Sequence, residues 1–225
     1  MFAFKQFVIE QDRCAMKVGT DGVLLGAWAR GGRQVLDVGT GTGVIARMMA
    51  QRYADAQVTA IDLDEDAVDQ ARQNVQASVF SERVTVCCQP VQPFSRQTGQ
   101  QGRYDAVVSN PPFFIDALRA PDKQRAVARH ADTLTYGELM QAAVRLLAED
   151  GELSVVVPFD YRRRMDDEAD FAGLFPARVC AVSTKAGKPP RRYLLAYRKH
   201  PCPCQQEVLT IGSEAYLRLT EDFYL

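Results

Sequence analysis

Gln34-Val35-Leu36-Asp37-Val38-Gly39-Thr40-Gly41-Thr42-Gly43-Val44 is a short apolar run that breaks into a glycine-rich turn. The residues from Val44 to Arg52 then read as a helix. Strand, glycine turn and helix in succession form a nucleotide-type cradle, because glycine accepts positive φ and lets a ligand approach the backbone. Ligands of parallel sheets bind at the carboxyl ends of the strands, where this turn would lie.

The turn alone leaves its ligand open, since Gly41 to Ala46 also fits the dinucleotide pattern G-x-G-x-x-A. Asp37, just before the first glycine, suits a zwitterionic amino acid moiety and suits a pyrophosphate badly. With no Gly-Lys-Ser/Thr after the glycines, a P-loop is excluded. Asp62 closes the next apolar run, Gln57 to Ile61, roughly 20 residues on, where an acid can bond ribose hydroxyls. Asp64 reads better as a helix N-cap.

Outward from this point strands and helices alternate. Glu65 to Gln76 reads as a helix, with Ala67, Val68, Ala71 and Val75 at apolar spacing. Arg83 to Cys88 and Tyr104 to Ser109 read as strands, Tyr136 to Glu149 as a helix ended by Asp150-Gly151, and Leu153 to Val157 as a buried strand. Alternation of this kind predicts an α/β fold: a Rossmann-like, mostly parallel seven-stranded sheet with helices on both faces. Ala177 to Thr184 and Arg192 to Tyr197 are strands joined too tightly for a crossover, which predicts an antiparallel C-terminal edge pair. Val208 to Ile211 offers a further short strand, and Ser213 to Leu225 a short helix and tail. Pro90 to Gly102 and Phe113 to Thr135 read as long loops. The expected organisation is one domain over 1–225: an N-terminal covering segment (1–30), a core (31–200) and a C-terminal strand and helix tail (201–225).

Asn110-Pro111-Pro112-Phe113 follows the strand Ala106 to Ser109. The Asn110 amide oxygen can accept one N–H of a planar amine, and the Pro111 carbonyl, on a backbone stiffened by its ring, can accept the other. Phe113 offers a face for a flat base. This points to methyl transfer onto a poorly nucleophilic nitrogen, has no role in hydride transfer, and favours S-adenosylmethionine over NAD.

The chain has 225 residues, net charge −1, 47% hydrophobic and 24% charged residues, which suits a folded domain with a sizeable core. No apolar run is long enough to predict a membrane span, and Met1-Phe2-Ala3-Phe4-Lys5 does not resemble a signal peptide, so a cytoplasmic protein is expected. The six cysteines form no framework; Cys87 and Cys88 should point to opposite faces of one strand. Cys202-Pro203-Cys204 with His200 is short of ligands for zinc, and no metal is expected. Near-neutral charge does not exclude RNA, because cations cluster locally. Arg162-Arg163-Arg164 is followed by Asp166, Asp167 and Glu168 and reads as a solvated face, whereas Lys185, Lys188, Arg191 and Arg192 lie in a Gly/Pro-rich stretch without acids.

The glycine turn, Asp62 and Asn-Pro-Pro-Phe resemble class I S-adenosylmethionine-dependent methyltransferases acting on amino nitrogen. More narrowly, Phe4-Lys5-Gln6-Phe7, the run from Cys14 to Trp28 containing Lys17-Val18-Gly19-Thr20-Asp21-Gly22, and Asp222-Phe223-Tyr224-Leu225 are similar to the tRNA1(Val) (adenine-37-N6)-methyltransferase family. That resemblance implies an enzyme acting on tRNA that methylates the N6 amine of adenine 37; a monomer is expected, because no heptad or apolar edge suggests otherwise. It implies that Asp37, Gly39 and Gly41 line the methionine part of the cofactor and that Asp62 holds its ribose. Lys17, Gly19, Thr20 and Asp21 would form the N-terminal cover. Asn110 would orient the amine, Phe113 would stack on the base, and Arg125, Arg129 and His130 would meet RNA. The family's acid for the cofactor adenine falls here on Pro90, so either Gln89 or a backbone carbonyl substitutes or cofactor affinity is lower; a contribution from Gln89 is the expectation. Guanine-N2 methylation of rRNA and glutamine methylation of protein use the same tetrapeptide and remain alternatives.

Overall fold

The computed structural model describes residues 1–14, 16–112 and 134–225. A two-stranded antiparallel ribbon, β1 (Phe2–Ala3) and β2 (Val8–Ile9), precedes helix α1 (Thr20–Trp28). The core then runs β3 (Gln34–Val38), α2 (Val44–Arg52), β4 (Gln57–Asp62), α3 (Glu65–Gln76), β5 (Val84–Cys88), α4 (Val91–Phe94) and β6 (Tyr104–Ser109). After the undescribed stretch come α5 (Tyr136–Leu146), β7 (Leu147–Pro158), α6 (Arg162–Ala172), β8 (Phe175–Ser183), β9 (Arg192–Arg198), β10 (Gln205–Thr210) and α7 (Glu214–Thr220).

The main sheet has eight strands in the order β10-β8-β9-β7-β6-β3-β4-β5. Chain order runs outward from β3 to β4 and β5, then restarts on the other side of β3 with β6. The carboxyl ends of β3 and β6 therefore flank the point where the winding reverses, the place such sheets leave a crevice. The glycine turn leaves β3 at this point, and Asn110 leaves β6.

The expected antiparallel pair is present: β8 and β9 pair along their length. Strand β9 also pairs antiparallel with β7, so it fills the position between β7 and β8. The helical crossover through α6 carries β8 one strand position past β7, and the short connection folds β9 back into the gap. Strand β10 adds outside β8, parallel to it, and brings the count to eight.

Each face is covered, as a parallel sheet requires. On one side α1 and α2 pack with the N-terminal segment, through Val23, Leu24, Met48, Met49, Phe4 and Phe7. On the other, α4, α5 and α6 supply Val91, Phe94, Leu139, Met140, Leu146 and Met165.

Two local expectations are corrected. The helix expected to reach Glu149 ends at Leu146, and Leu147 pairs directly with Tyr104 as β7 begins. Gly151 lies inside β7, where a Cβ would come within 2.8 Å of the Tyr104 carbonyl oxygen, so glycine answers a close backbone approach there. The stretch from Pro90, expected as a loop, opens with α4, whose buried Val91 and Phe94 are one turn apart. Other assignments hold: Asp64 caps α3, accepting from Asp66 N and Ala67 N. Thr135 and Glu138 form a reciprocal capping box on α5.

One buried charge cluster anchors α1 to the sheet. Glu152 on β7 accepts from Arg178 Nη2 at 2.6 Å and from Arg198 Nε at 3.2 Å. The Arg178 guanidinium also lies 3.9 Å from the centroid of the Trp28 ring at the end of α1.

Candidate functional site

A cleft of about 250 Å³ opens at the carboxyl ends of β3, β4 and β6. Its walls are the glycine turn (Gly39, Thr40, Gly41, Thr42), Asp62 and Asp64, the N-terminal stretch Cys14 and Met16 to Gly19, and Asn110 with Pro112. The turn is pinned to the sheet, because Gly39 N and Thr40 N both donate to Ile61 O, at 2.9 and 3.1 Å. Gly39 and Gly41 adopt φ of +73° and +54°, with no described residue within 4 Å of a would-be Cβ. That backbone is open for a ligand to lie against, and only glycine adopts it without strain.

Asp62 stands on the cleft wall as expected. Its Oδ2 accepts from Gly41 N at 2.8 Å and its Oδ1 from Asp64 N at 3.1 Å. A carboxylate has further lone pairs, so two ribose hydroxyls can still donate to it.

Asp37 departs from expectation. It is fully buried behind the turn instead of lining the cleft. Its Oδ2 accepts from Thr40 Oγ1 at 2.6 Å and from Ala46 N at 3.1 Å, tying the turn to the start of α2. Its Oδ1 is buried without a partner among the described residues. Burial outweighs the two hydrogen bonds and pushes the carboxyl up to about 7 from its ordinary 3.8. Because the folded value exceeds the unfolded one, this group's stabilisation is complete below about pH 4 and is lost as pH rises through about 7. Asp37→Asn should flatten that slope, so the melting temperature of the variant relative to the parent rises by a few degrees from pH 4 to 8. Melting curves across that range check this; a constant difference would mean the carboxyl ionises normally.

The N-terminal cover is only partly as expected. Lys17 and Gly19 line the cleft, and Lys17 Nζ donates to Gln11 O. Thr20 and Asp21 are not on the wall; they form the first turn of α1. Asp21 instead pairs with Arg192 at the start of β9, so a residue expected at the cofactor and one expected at RNA hold each other. Gln89 is likewise off the wall, its Oε1 accepting from Gln97 Nε2 at 3.0 Å. Pro90 caps the start of α4.

What holds the cover was not read from the sequence. Asn74 on α3 exchanges hydrogen bonds with Glu10 N and O, at 2.9 and 2.8 Å, and donates to Thr42 O at 3.0 Å. Gln70, one turn earlier, accepts from Arg13 N. Buried Arg47 donates to Val8 O at 2.9 Å and lies over Phe7. The available signal was a pair of amides four residues apart on the face of α3 that also carries Ala67, Ala71 and Val75. Cys14, also missed, is buried at the cleft, and burial pushes its thiol up to about 11, so it is a neutral wall group.

Asn110 completes the wall. Ser109 Oγ donates to Val38 O at 2.8 Å, binding the ends of β6 and β3 together just beneath it. Asn110 Oδ1 is buried and has no donor among the described residues. An orphaned acceptor in a cleft asks for an N–H from outside, and a substrate amine supplies one. Pro111 is buried beside it. Phe113, Arg125, Arg129 and His130 lie outside the described residues.

The basic connection 184–191 leaves β8 at the same end of the sheet as the cleft, with Lys185, Lys188 and Arg191 exposed. Arg192 is half-buried and paired with Asp21. Arg162, read as part of a solvated face, is instead held against Tyr193 with its guanidinium 4.5 Å from the ring centroid. His200 Nε2 contacts Glu149 Oε1 at 2.6 Å, and no cluster of three metal-ligating side chains occurs among the described residues.

The chain is similar to known methyltransferases in sequence and in fold. Residues 18–170 match the model of the methyltransferase small domain. A Phocaeicola vulgatus protein named tRNA1(Val) (adenine(37)-N6)-methyltransferase is 46% identical, over 100% of this chain and 97% of its own length. One of the same name from Bacteroides fragilis is 43% identical with the same coverage. Among solved structures, a predicted O-methyltransferase from Agrobacterium tumefaciens superposes with a TM-score of 0.67 at 16% identity, covering 90% of this chain and 96% of that one.

Proposed function

The chain belongs to the tRNA1(Val) (adenine(37)-N6)-methyltransferase family of S-adenosylmethionine-dependent enzymes, and from that premise we propose that it methylates the exocyclic N6 of adenine 37 in the anticodon loop of tRNA1(Val). The observation that carries the reading is the buried, unpartnered Asn110 Oδ1 on the wall of the glycine-turn cleft.

The residues present fit the cofactor. Gly39 and Gly41 leave open backbone for its amino acid part, Asp62 offers free lone pairs to its ribose, and Lys17 and Gly19 close over it. Bound there, S-adenosylmethionine supplies an electrophilic methyl group.

This chain's own part is to prepare the amine. The lone pair of an exocyclic amine is delocalised into the ring, so the nitrogen is a poor nucleophile. Asn110 Oδ1 accepts one N–H and the Pro111 carbonyl accepts the other, which draws both bonds out of the base plane and localises the lone pair on nitrogen. As positive charge develops there, both N–H groups become better donors and both hydrogen bonds strengthen. The interaction is thus larger in the transition state than in the ground state, and catalysis rests on positioning plus charge stabilisation. A methylated ammonium sheds its proton readily, so no general base is assigned. The base must leave its stack to reach the cleft, which costs little in a single-stranded loop.

The described residues include no helix long and apolar enough to cross a membrane. We place the reaction in the cytoplasm and take the chain to work as a monomer.

Methyl transfer from labelled cofactor to unmodified tRNA1(Val), rRNA and lysate protein, followed by nucleoside analysis, tests the reading. N6-methyladenosine in the tRNA, lost when adenine 37 is replaced, is the expected result. N2-methylguanosine in rRNA or label in protein would transfer the function to another amine.

A further inference from the structure

Phe159 leaves the carboxyl end of β7 and is 47% exposed. A single exposed aromatic ring is ordinary on a protein surface. This one is fixed in place by two contacts. Its ring stacks on Tyr193 of β9, with centroids 5.9 Å apart and planes 28° apart. Its backbone N–H donates to Arg191 O at 3.0 Å, which ties it to the root of the basic connection. Tyr193 is in turn braced by Arg162, whose Nε donates to Asp166 Oδ2 at 3.4 Å; Tyr197 Oη donates to the other oxygen, Oδ1, at 2.6 Å.

The position matters as much as the rigidity. Strand β7 is the neighbour of β6, and Ser109 pairs with Val155. Pro158 therefore stands about 7 Å beyond the level of Asn110 and about 5 Å to its side. The ring at Phe159 lies on the rim of the sheet end that carries the cleft. The β8–β9 connection, tied to Phe159 through Arg191, carries the exposed cations Lys185, Lys188 and Arg191, and the acids Asp21 and Asp166 are already engaged by Arg192 and by Arg162 with Tyr197. Asp160 follows the ring directly in the chain.

We infer that Phe159, held by Tyr193 and tied to the connection that carries Lys185, Lys188 and Arg191, is a stacking platform for an unpaired base adjacent to the target adenine. The inference rests on the tRNA reading above. An exposed ring next to cations is the combination that holds single-stranded nucleic acid, one part taking a base face and the other the phosphates. Stacking there keeps the neighbouring nucleotide from following the target into the cleft, and so sets the register in which a base reaches Asn110. Phe159 is a positioning residue that acts on the RNA, not on the reacting atoms.

The test uses full-length protein and unmodified tRNA. Phe159→Ala should lower kcat/KM for tRNA about 10-fold, mainly through KM, as loss of one stacked base does. Cofactor affinity and melting temperature should stay at parent values, and Phe159→Trp should restore kcat/KM. In Phe159→Trp, indole fluorescence should be quenched by an anticodon stem-loop, and less so when the nucleotide beside position 37 is abasic. A Phe159→Ala enzyme within twofold of the parent, or quenching indifferent to the abasic site, overturns the platform alone. Parent protein that methylates no tRNA overturns the tRNA reading and the platform together.

Discussion

Replacing Asn110 with alanine should lower kcat for tRNA methylation by roughly 10³-fold, the scale seen when one preorganised group facing developing charge is removed. The amide is one of only two acceptors assigned to the reacting amine, and its oxygen has no other partner among the described residues. Without it one N–H is left unsatisfied in the cleft and the lone pair stays in the ring. Cofactor affinity should change by less than about threefold, since each hydrogen bond assigned to the cofactor comes from other residues. Single-turnover methylation with saturating tRNA, paired with calorimetric titration of S-adenosylmethionine, separates the two effects. A near-parental single-turnover rate would remove Asn110 from the mechanism, and joint loss of rate and cofactor binding would make it a cleft-shaping residue.

Glu152→Ala should cost about 3–5 kcal/mol of folding stability, because it strands a buried cation. Glu152 is 2% exposed and its partner Arg178 only 8%. Arg198 and Arg30, the other cations within 4 Å of Glu152 among the described residues, are 31% and 47% exposed and can turn to water. Arg178 cannot, being packed on Trp28 and directed at the Trp28 carbonyl. For a domain of this size the loss corresponds to roughly 10 °C in melting temperature. Glu152→Gln keeps the shape and one acceptor and should lose less. The effect reaches the site as well: α1 is anchored at its Trp28 end by this cluster and presents Gly19 and Gly22 to the cleft at its other end. Denaturant melts with and without cofactor measure both. A loss under about 1 kcal/mol would mean that water reaches Arg178 when the carboxylate is gone.

Much of the site could be read before the fold because its chemistry is local. A glycine turn between an apolar strand and a helix, an acid ending the next strand, and Asn-Pro-Pro after a third each carry their conformation within a few residues. Gly39, Gly41, Asp62 and Asn110 accordingly stand on one cleft. Lys17 and Gly19 join them, and Asp64 is the cap its spacing suggested.

Asp37, Asp21 and Gln89 went elsewhere for reasons no local pattern contains. Asp37 is the fourth residue of a strand whose side chains alternate between faces, and both faces of this sheet are covered, so its carboxyl is enclosed and turned to the start of α2. Asp21 meets Arg192 across 171 positions of chain, an encounter created only when β9 inserts between β7 and β8. Asn74, Gln70 and Arg47 hold the N-terminal cover through backbone groups distant in sequence, and Phe159 becomes a candidate base platform only because Tyr193 arrives beneath it from β9.

By itself the sequence determined the α/β class, the glycine cradle and the Asn-Pro-Pro turn that carries Asn110, since turn chemistry and hydrophobic period act over a few residues. Which carboxylates face the cleft, what holds the N-terminal segment and which cations stay exposed were decided by strand order, because side-chain partners far apart in the chain are chosen only when the sheet assembles.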